Sequence, residues 1–223
     1  MKRIRLVFPT IDMEKEVMEF KRKFYENGEK TINGSYKLDV DRYSYSEWLE
    51  IITSNTNAET ANPKFGISDT FLGLNEENEI VGIITIRYDM TEFYRDNGHI
   101  GYSIVPDKRR QGYATEMLKA ALEIAREHNL SEAKVVCTAD NEASRKTILA
   151  CSGKLNRIIE SDVVNKEEYL IIWSIQVNDL DHIQWTNKYQ SKNLKEINKI
   201  LEKYENKVVW ITSSQEIDRI LSD

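Results

Sequence analysis

Residues 105–114 concentrate the residue types that bind phosphate groups in proteins. Arg109 and Arg110 are followed by Gly112 and Ala114, between a strand-like run and a long amphipathic pattern. Because these last two residues have little or no side chain, successive main-chain N–H groups can point outward at a helix N-terminus, whose dipole favours anions. The arginines add donors suited to phosphate oxygens. The segment therefore predicts a diphosphate site, with a solvated basic turn as the alternative.

The spacing of apolar residues predicts the elements that position this segment. Strand-like runs occupy residues 2–8, 98–105 and 130–138, and two hairpins are indicated at 69–74 with 79–88 and at 155–164 with 167–177. Helical spacing is found at 12–28, around Trp48, at 112–125 and at 141–150. A helix at 194–204, a strand at 208–211 and a last helical turn at 217–221 follow. The phosphate segment is thus expected to join a strand to a helix.

In this context the segment resembles the signature [Q/R]-x-x-G-x-[G/A] of the GNAT superfamily of N-acetyltransferases, met here by Arg109, Gly112 and Ala114. The likeness is carried by residues 80–155, and the order of elements is similar from residue 2 to residue 177. A closer likeness is to a bacterial branch of predicted acetyltransferases. That branch carries a His-Ile-Gly-Tyr-Ser strand and an Asn-x-x-Ser-Arg-Lys stretch, as at 99–103 and 141–146 here.

The resemblance implies an α+β fold in three layers: a mixed, mostly antiparallel twisted sheet with helices on both faces. Residues 1–177 would form the acetyltransferase domain, and residues 178–223 a C-terminal α/β appendage. The implied reaction is transfer of an acetyl group from acetyl-CoA to a primary amine of a small molecule or peptide, by direct attack in a ternary complex. No metal is implied.

The resemblance also assigns residues to the coenzyme. Its pantetheine arm would pair with the main chain at Ser103 and Ile104, and Asn141 and Ser144 would contact the same arm. A helix cap and a solvated first turn are the alternative for these last two residues. The diphosphate would contact Arg109, Arg110, Gln111, Gly112, Tyr113 and Ala114.

Two catalytic positions depart from the family pattern. Relatives often place a glutamate base where this chain has His99, whose imidazole, with an ordinary pKa of about 6.5, can accept a proton near neutral pH. A strand histidine with a structural hydrogen bond is the alternative. The tyrosine acid of many relatives is replaced by Ile148. Residues 88–94, with Asp89 and Glu92, are a candidate acceptor rim whose acidic groups would attract an amine, or else a solvated loop.

Composition excludes several other classes. The chain is 40% hydrophobic and 30% charged, near the averages of globular proteins. Its net charge of -6 argues against a nucleic-acid binder that works through overall charge. No apolar run reaches the roughly 18 residues that a membrane span needs, and the N-terminus lacks a signal-peptide pattern. We therefore expect a cytoplasmic protein with no membrane partner. Cys137 and Cys151 are expected to be buried free thiols.

The role of residues 178–223 is left open by the sequence. They could complete the sheet, form a homodimer contact or act as a small lid. Together with Ile148, this extension motivates an alternative function, a non-catalytic sensor or regulatory module that binds acetyl-CoA.

Overall fold

The computed structural model describes residues 3–161, 168–178 and 180. One seven-stranded sheet has the order β1-β2-β3-β4-β5-β7-β6, in which β4 and β5 are parallel and the other neighbours antiparallel. The strands are β1 (Arg5–Val7), β2 (Ser68–Leu74), β3 (Ile80–Arg87), β4 (Ile100–Ile104), β5 (Glu132–Thr138), β6 (Lys154–Ser161) and β7 (Glu168–Gln176). The predicted mixed, mostly antiparallel sheet is confirmed.

Within the described residues four α-helices cover the sheet, and side-chain caps mark where two of them begin. They are α1 (Glu14–Glu26), α2 (Tyr45–Ser54), α3 (Tyr113–Glu127) and α4 (Glu142–Ala150). Ser44 and Glu47 form a reciprocal capping box at the start of α2, and the Asn141 side chain accepts the Ser144 N–H at the start of α4. These caps satisfy N–H groups that a helix leaves unpaired, so they fix the entry of each helix onto the sheet.

The two faces of the sheet carry two separate cores, because neighbouring residues of a strand point to opposite sides. Ile83 packs with α1 and α2 against Phe24 and Trp48. Ile84 packs on the other face with Leu118 of α3. All five of these side chains are almost completely buried, and truncating one to alanine would cost about 2–5 kcal/mol. The predicted arrangement with helices on both faces is confirmed.

The sheet is nearly interrupted at its centre. The register of β4 with β5 comprises the single pair Ile100 and Val135, whereas β4 continues to Ile104 and β5 to Thr138. The two parallel strands therefore separate toward their C-terminal ends, and the gap opens toward the N-termini of α3 and α4.

Several sequence predictions lie outside the described residues. They are the turn at 164–166, the helix at 194–204, the strand at 208–211 and the turn at 217–221. After residue 177, Asn178 and Leu180 are described, and Leu180 is buried in the core beneath α3 and α4. Among the described helices, none is both long enough and apolar enough to cross a membrane.

Candidate active site

A cleft of about 1310 Å³ occupies the gap between β4 and β5. One wall is β4 from Ile100 to Ile104, and the other is the end of β5 with the first turns of α4. At one end lie the residues before α3, which we call the coenzyme loop (residues 106–115). At the other end lie residues 31–34 with Arg87, Tyr94 and Asn97, which we call the acceptor end.

Alternate residues of β4 present their main-chain groups to the cleft. The Val105 N–H donates to the Val81 carbonyl on β3, which fixes the phase of the antiparallel ladder. Ser103, two residues earlier, therefore bonds with Ile83 of β3, while the main-chain groups of Tyr102 and Ile104 face the gap. Of the two predicted main-chain contacts to pantetheine, only Ile104 has the required direction, although Ser103 is also among the residues that line the cleft.

The coenzyme loop has the backbone of an anion site. Arg110 and Gly112 both have left-handed backbones, with φ of 60° and 87°. In the part of the chain that the structure describes, no acceptor is found for the main-chain N–H groups of residues 110–115. A Cβ built on Gly112 would meet no atom closer than the 3.6 Å of an Arg3 guanidinium nitrogen, so open space faces the loop. These observations fit a bound diphosphate.

Arg109 braces the loop and does not point freely into the cleft. Its two terminal nitrogens donate to the Glu29 carboxylate at 2.8 and 2.7 Å, and its Nε donates to the Ile104 carbonyl at 3.0 Å. The bond from Arg109 lowers the pKa of Glu29. The guanidinium also lies over the Phe24 ring. Arg110, in contrast, is exposed and has no ion-pair partner among the described residues, so it is the arginine that can reach a phosphate.

Two further loop residues predicted at the coenzyme are already in contact with the protein. The Gln111 amide donates to the Asp107 carbonyl at 3.3 Å, and the Tyr113 ring lies beneath the Arg3 guanidinium. Tyr113 and Ala114 line the cleft, whereas Gln111 does not.

A pair of hydroxyl groups lies in the middle of the cleft. The Tyr102 hydroxyl and Ser144 Oγ are 3.0 Å apart, and burial raises the pKa of Tyr102. Asn141, which caps α4 through the Ser144 N–H at 3.0 Å, lines the same wall. Ile148, at the position of the family's tyrosine, is completely buried in the core. The hydroxyl pair is therefore a candidate proton donor in place of the family's tyrosine.

The surroundings of His99 do not suit a general base. It is 6% exposed and is not part of the cleft lining, and its Nδ1 accepts the Lys134 N–H at 2.9 Å. The main-chain N–H of His99 donates to the Lys134 carbonyl at 2.7 Å. Burial, with a smaller effect of the Lys134 charge, lowers the pKa of His99 to about 4. An imidazole with an occupied Nδ1 and so low a pKa is a poor acceptor for an ammonium proton, which favours the structural alternative.

The acceptor end is aromatic and cationic. The acidic groups predicted to attract an amine are engaged elsewhere: Glu92 pairs with Arg95, and Asp89 accepts the Ile67 N–H. The cleft is lined instead by Arg87, whose guanidinium lies 4.2 Å from the centre of the Tyr94 ring.

Residues 31–34 close this end against β4. The Gly34 carbonyl accepts the Thr85 hydroxyl at 2.8 Å, and a Cβ on Gly34 would lie 2.1 Å from the Gly101 carbonyl oxygen. Only glycine fits so close a main-chain approach.

The sequence matches the family model of the acetyltransferase (GNAT) domain over residues 5–152. The match contains the coenzyme loop, the gap between β4 and β5, and the acceptor end. The chain belongs to the GNAT acetyltransferase family. No curated protein matches the sequence closely enough to count as a relative.

Solved acetyltransferase structures share this GNAT fold at low sequence identity. RimJ of Mycobacterium smegmatis, solved with CoA-disulfide, is 17% identical with a TM-score of 0.60, over 79% of this chain and 83% of that one. MccE, solved with acetyl-CoA and AMP, is 15% identical with a TM-score of 0.58, over 79% and 93%. The spermidine/spermine N-acetyltransferase SpeG of Vibrio cholerae is 11% identical with a TM-score of 0.57, over 81% and 97%. SpeG is named for a polyamine acceptor, but at 11–17% identity these structures show the fold alone and do not select an acceptor for this chain.

The sequence analysis did not predict three residues that line the cleft. Glu29 and Arg87 lie in no motif, and Tyr102 belongs to the motif at 99–103 but was given no role. The signal for Arg87 is present in retrospect: Ile83, Thr85 and Arg87 alternate on one face of β3, which becomes more polar toward the strand's end. The two cysteines are buried, as predicted, and the described residues hold no cluster of three or more metal-ligating side chains.

Proposed function

We propose that the protein transfers the acetyl group of acetyl-CoA to a primary amine of a small molecule or peptide, by direct attack in a ternary complex. The observation that carries this proposal is the single-pair contact between β4 and β5, backed by a loop of unbonded N–H groups. A slot in a sheet with an anion site at its end fits an extended thioester with a diphosphate at one end.

Acetyl-CoA would be held along β4 as co-substrate. The N–H groups of residues 110–115 and the Arg110 side chain would bind its diphosphate, and the main chain of Tyr102 and Ile104 would pair with the amides of its pantetheine arm. The Asn141 side chain, at the opposite wall, narrows the slot around that arm. Together these contacts orient the thioester carbonyl toward the acceptor end.

The reaction needs a polarised carbonyl, a neutral amine and a stabilised leaving thiolate. The Tyr102 N–H also faces the gap, farther from the coenzyme loop than Ile104, and can polarise the carbonyl oxygen in the manner of an oxyanion hole. The amine nitrogen forms a bond to the carbonyl carbon, the C–S bond breaks, and the thiolate takes a proton from the Ser144 and Tyr102 pair or from water. The amine proton passes to solvent, since His99 lies outside the cleft lining.

Coenzyme binding is tested with Gly112→Asp and the matched control Gly28→Asp. Both glycines have left-handed φ, 87° and 80°, and a Cβ at either has room, so the two changes share a similar backbone strain of about 1–2 kcal/mol. Only Gly112 faces the phosphate approach. We expect calorimetry to show CoA binding weakened about 100-fold by Gly112→Asp, the worth of one or two charged hydrogen bonds.

Gly28→Asp should bind CoA like the wild type and melt at nearly the same temperature as Gly112→Asp. Turnover is measured as CoA thiol released from acetyl-CoA with a panel of amines. Thiol release in the wild type supports the enzyme, and coenzyme binding without release from any amine would favour the sensor alternative. Equal CoA affinity in all three proteins would refute the loop as the diphosphate site.

A further inference from the structure

Two arginines of the cleft have no carboxylate partner in the described ranges. Arg87 lies at the acceptor end and Arg110 in the coenzyme loop. Every other charged side chain of the cleft is in an ion pair: Glu29 with Arg109, Lys108 with Glu79, and Lys146 with Glu142. In two places of the cleft, therefore, an arginine is available to bind a negatively charged group of a ligand.

A single coenzyme diphosphate accounts for only one of these places. Arg110 is part of the loop that faces the phosphates. The Arg87 N–H bonds with the His99 carbonyl, at the opposite end of β4 from Val105. At about 3.4 Å per strand residue, the six steps along the strand from His99 to Val105 place these positions about 20 Å apart. Arg87 is thus available to the second substrate.

The surroundings of Arg87 favour an anion. Its Nε is buried without an acceptor among the described residues, and its Nη1 makes one long bond, 3.3 Å, to the Gly98 carbonyl. The guanidinium is stacked on Tyr94, which fixes its plane and leaves its edge for a ligand. A partly desolvated cation without a counterion is unfavourable, and a bound oxyanion would relieve this cost.

The rest of the acceptor end contains no competing charge. Asn33 and Asn97 line it with neutral amides, and no carboxylate of the described residues lines this end. A cationic polyamine would find no counterion here. The fork of an arginine matches the two oxygens of a carboxylate or phosphate.

We propose that the acetyl acceptor is an amine that also carries an oxyanion group, carboxylate or phosphate, and that Arg87 binds that group. This inference rests on the proposed acetyl transfer and adds the charge of its second substrate. Arg87 would act as a specificity residue, since it contacts the acceptor away from the reacting nitrogen.

The experiment compares matched amines that differ in one charged group. Glycylglycine and glycylglycine amide differ by a carboxylate, and O-phosphoethanolamine and ethanolamine differ by a phosphate. The compound 1,3-diaminopropane represents a dication. We expect kcat/KM for the preferred anion to exceed that of its neutral partner about 10- to 100-fold, with the dication poorest. Which pair shows the larger ratio identifies carboxylate or phosphate as the group.

Variants assign the preference to Arg87. Arg87→Gln should abolish the ratio by raising KM for the anionic amine, while the neutral amine is unaffected. Arg87→Lys keeps the charge but not the two-pronged guanidinium, so it should retain part of the ratio of kcat/KM between the anionic and the neutral amine. Circular dichroism checks that both variants are folded. Arg95→Gln is the control: this arginine is exposed and paired with Glu92, so the ratio should persist.

Failure of this inference differs from failure of the proposed function. If thiol release occurs with equal efficiency for both members of each pair, or is highest for 1,3-diaminopropane, acetyl transfer stands and the anion preference is refuted. If no amine is acetylated, the same probes are titrated into CoA-saturated protein by calorimetry. Binding of an anionic probe that Arg87→Gln removes would support the site, and no binding at 10 mM of any would overturn it.

Discussion

Acidification should destabilise this protein through His99. The imidazole is neutral in the folded chain, where its Nδ1 accepts the Lys134 N–H at the point where β4 meets β5. Burial lowers its pKa from 6.5 to about 4. Between these values an unfolded chain binds the proton and the folded chain does not, so the stabilising effect is complete above pH 6.5 and is lost as the pH falls toward 4.

The size of the effect follows from the pKa difference. Each pKa unit corresponds to about 1.4 kcal/mol, so His99 alone contributes at most about 3 kcal/mol to this loss. Glu29 and Asp107 also have lowered pKa values, because each carboxylate accepts a hydrogen bond from a cationic side chain. Their protonation destabilises the fold further as the pH falls below the range in which His99 titrates. The contribution of His99 must therefore be isolated by difference.

His99→Asn provides that difference, because the asparagine Oδ1 can replace Nδ1 as the acceptor and does not titrate. Unfolding by urea at pH 7, 5.5 and 4 gives the free energy of unfolding of both proteins. We expect the wild type to lose about 3 kcal/mol more than the variant. The kcat/KM of the variant above pH 7 should stay within about twofold of the wild type.

Two results would refute this reasoning. Equal acid sensitivity of the two proteins would show that His99 is not a buried neutral acceptor. A large fall in kcat at neutral pH, with unchanged stability, would restore the imidazole as the general base.

Other changes test the cleft. Gly34→Ala places a Cβ 2.1 Å from the Gly101 carbonyl oxygen, so residues 31–34 must move; we expect the melting temperature to fall and KM for the amine to rise at least tenfold. Glu29→Gln removes one charge of the pair with Arg109; we expect a stability loss below about 1 kcal/mol, because the pair is partly exposed, and a several-fold change in KM for acetyl-CoA. Ser144→Ala should lower kcat about tenfold while calorimetry shows CoA affinity changed less than threefold; an unchanged kcat would assign the thiolate's proton to solvent.

Features set by adjacent residues could be predicted from sequence. The coenzyme loop was found because glycine at left-handed φ and a following helix are local properties. The helix cap at Asn141 is local for the same reason. The individual strands and helices followed from apolar spacing, since burial on one face or both imposes a periodic pattern, whereas the layered sheet was implied by the resemblance to the GNAT superfamily.

Features set by distant residues could not be predicted. The contact between His99 and Lys134 joins residues 35 apart, and that between Arg109 and Glu29 joins residues 80 apart. The first contact occupies Nδ1 of His99, so that the imidazole is a poor base. The second holds the Arg109 guanidinium against Glu29, so that it supports the loop. Such pairs leave no periodic pattern in the sequence, because they form only when the fold places β4 beside β5 and the end of α1 beside the coenzyme loop.

The single residue pair between β4 and β5 has a mechanical consequence for the whole sheet. Strands β1 to β4 form one leaf and β5 to β7 the other, and within the sheet the leaves are joined by Ile100 with Val135 and by the two bonds of His99 to Lys134. Main-chain hydrogen bonds are therefore dense inside each leaf and sparse between the leaves. Cohesion across the slot depends instead on apolar side chains, because Ile84 of one leaf and Val135 of the other are buried in the same core.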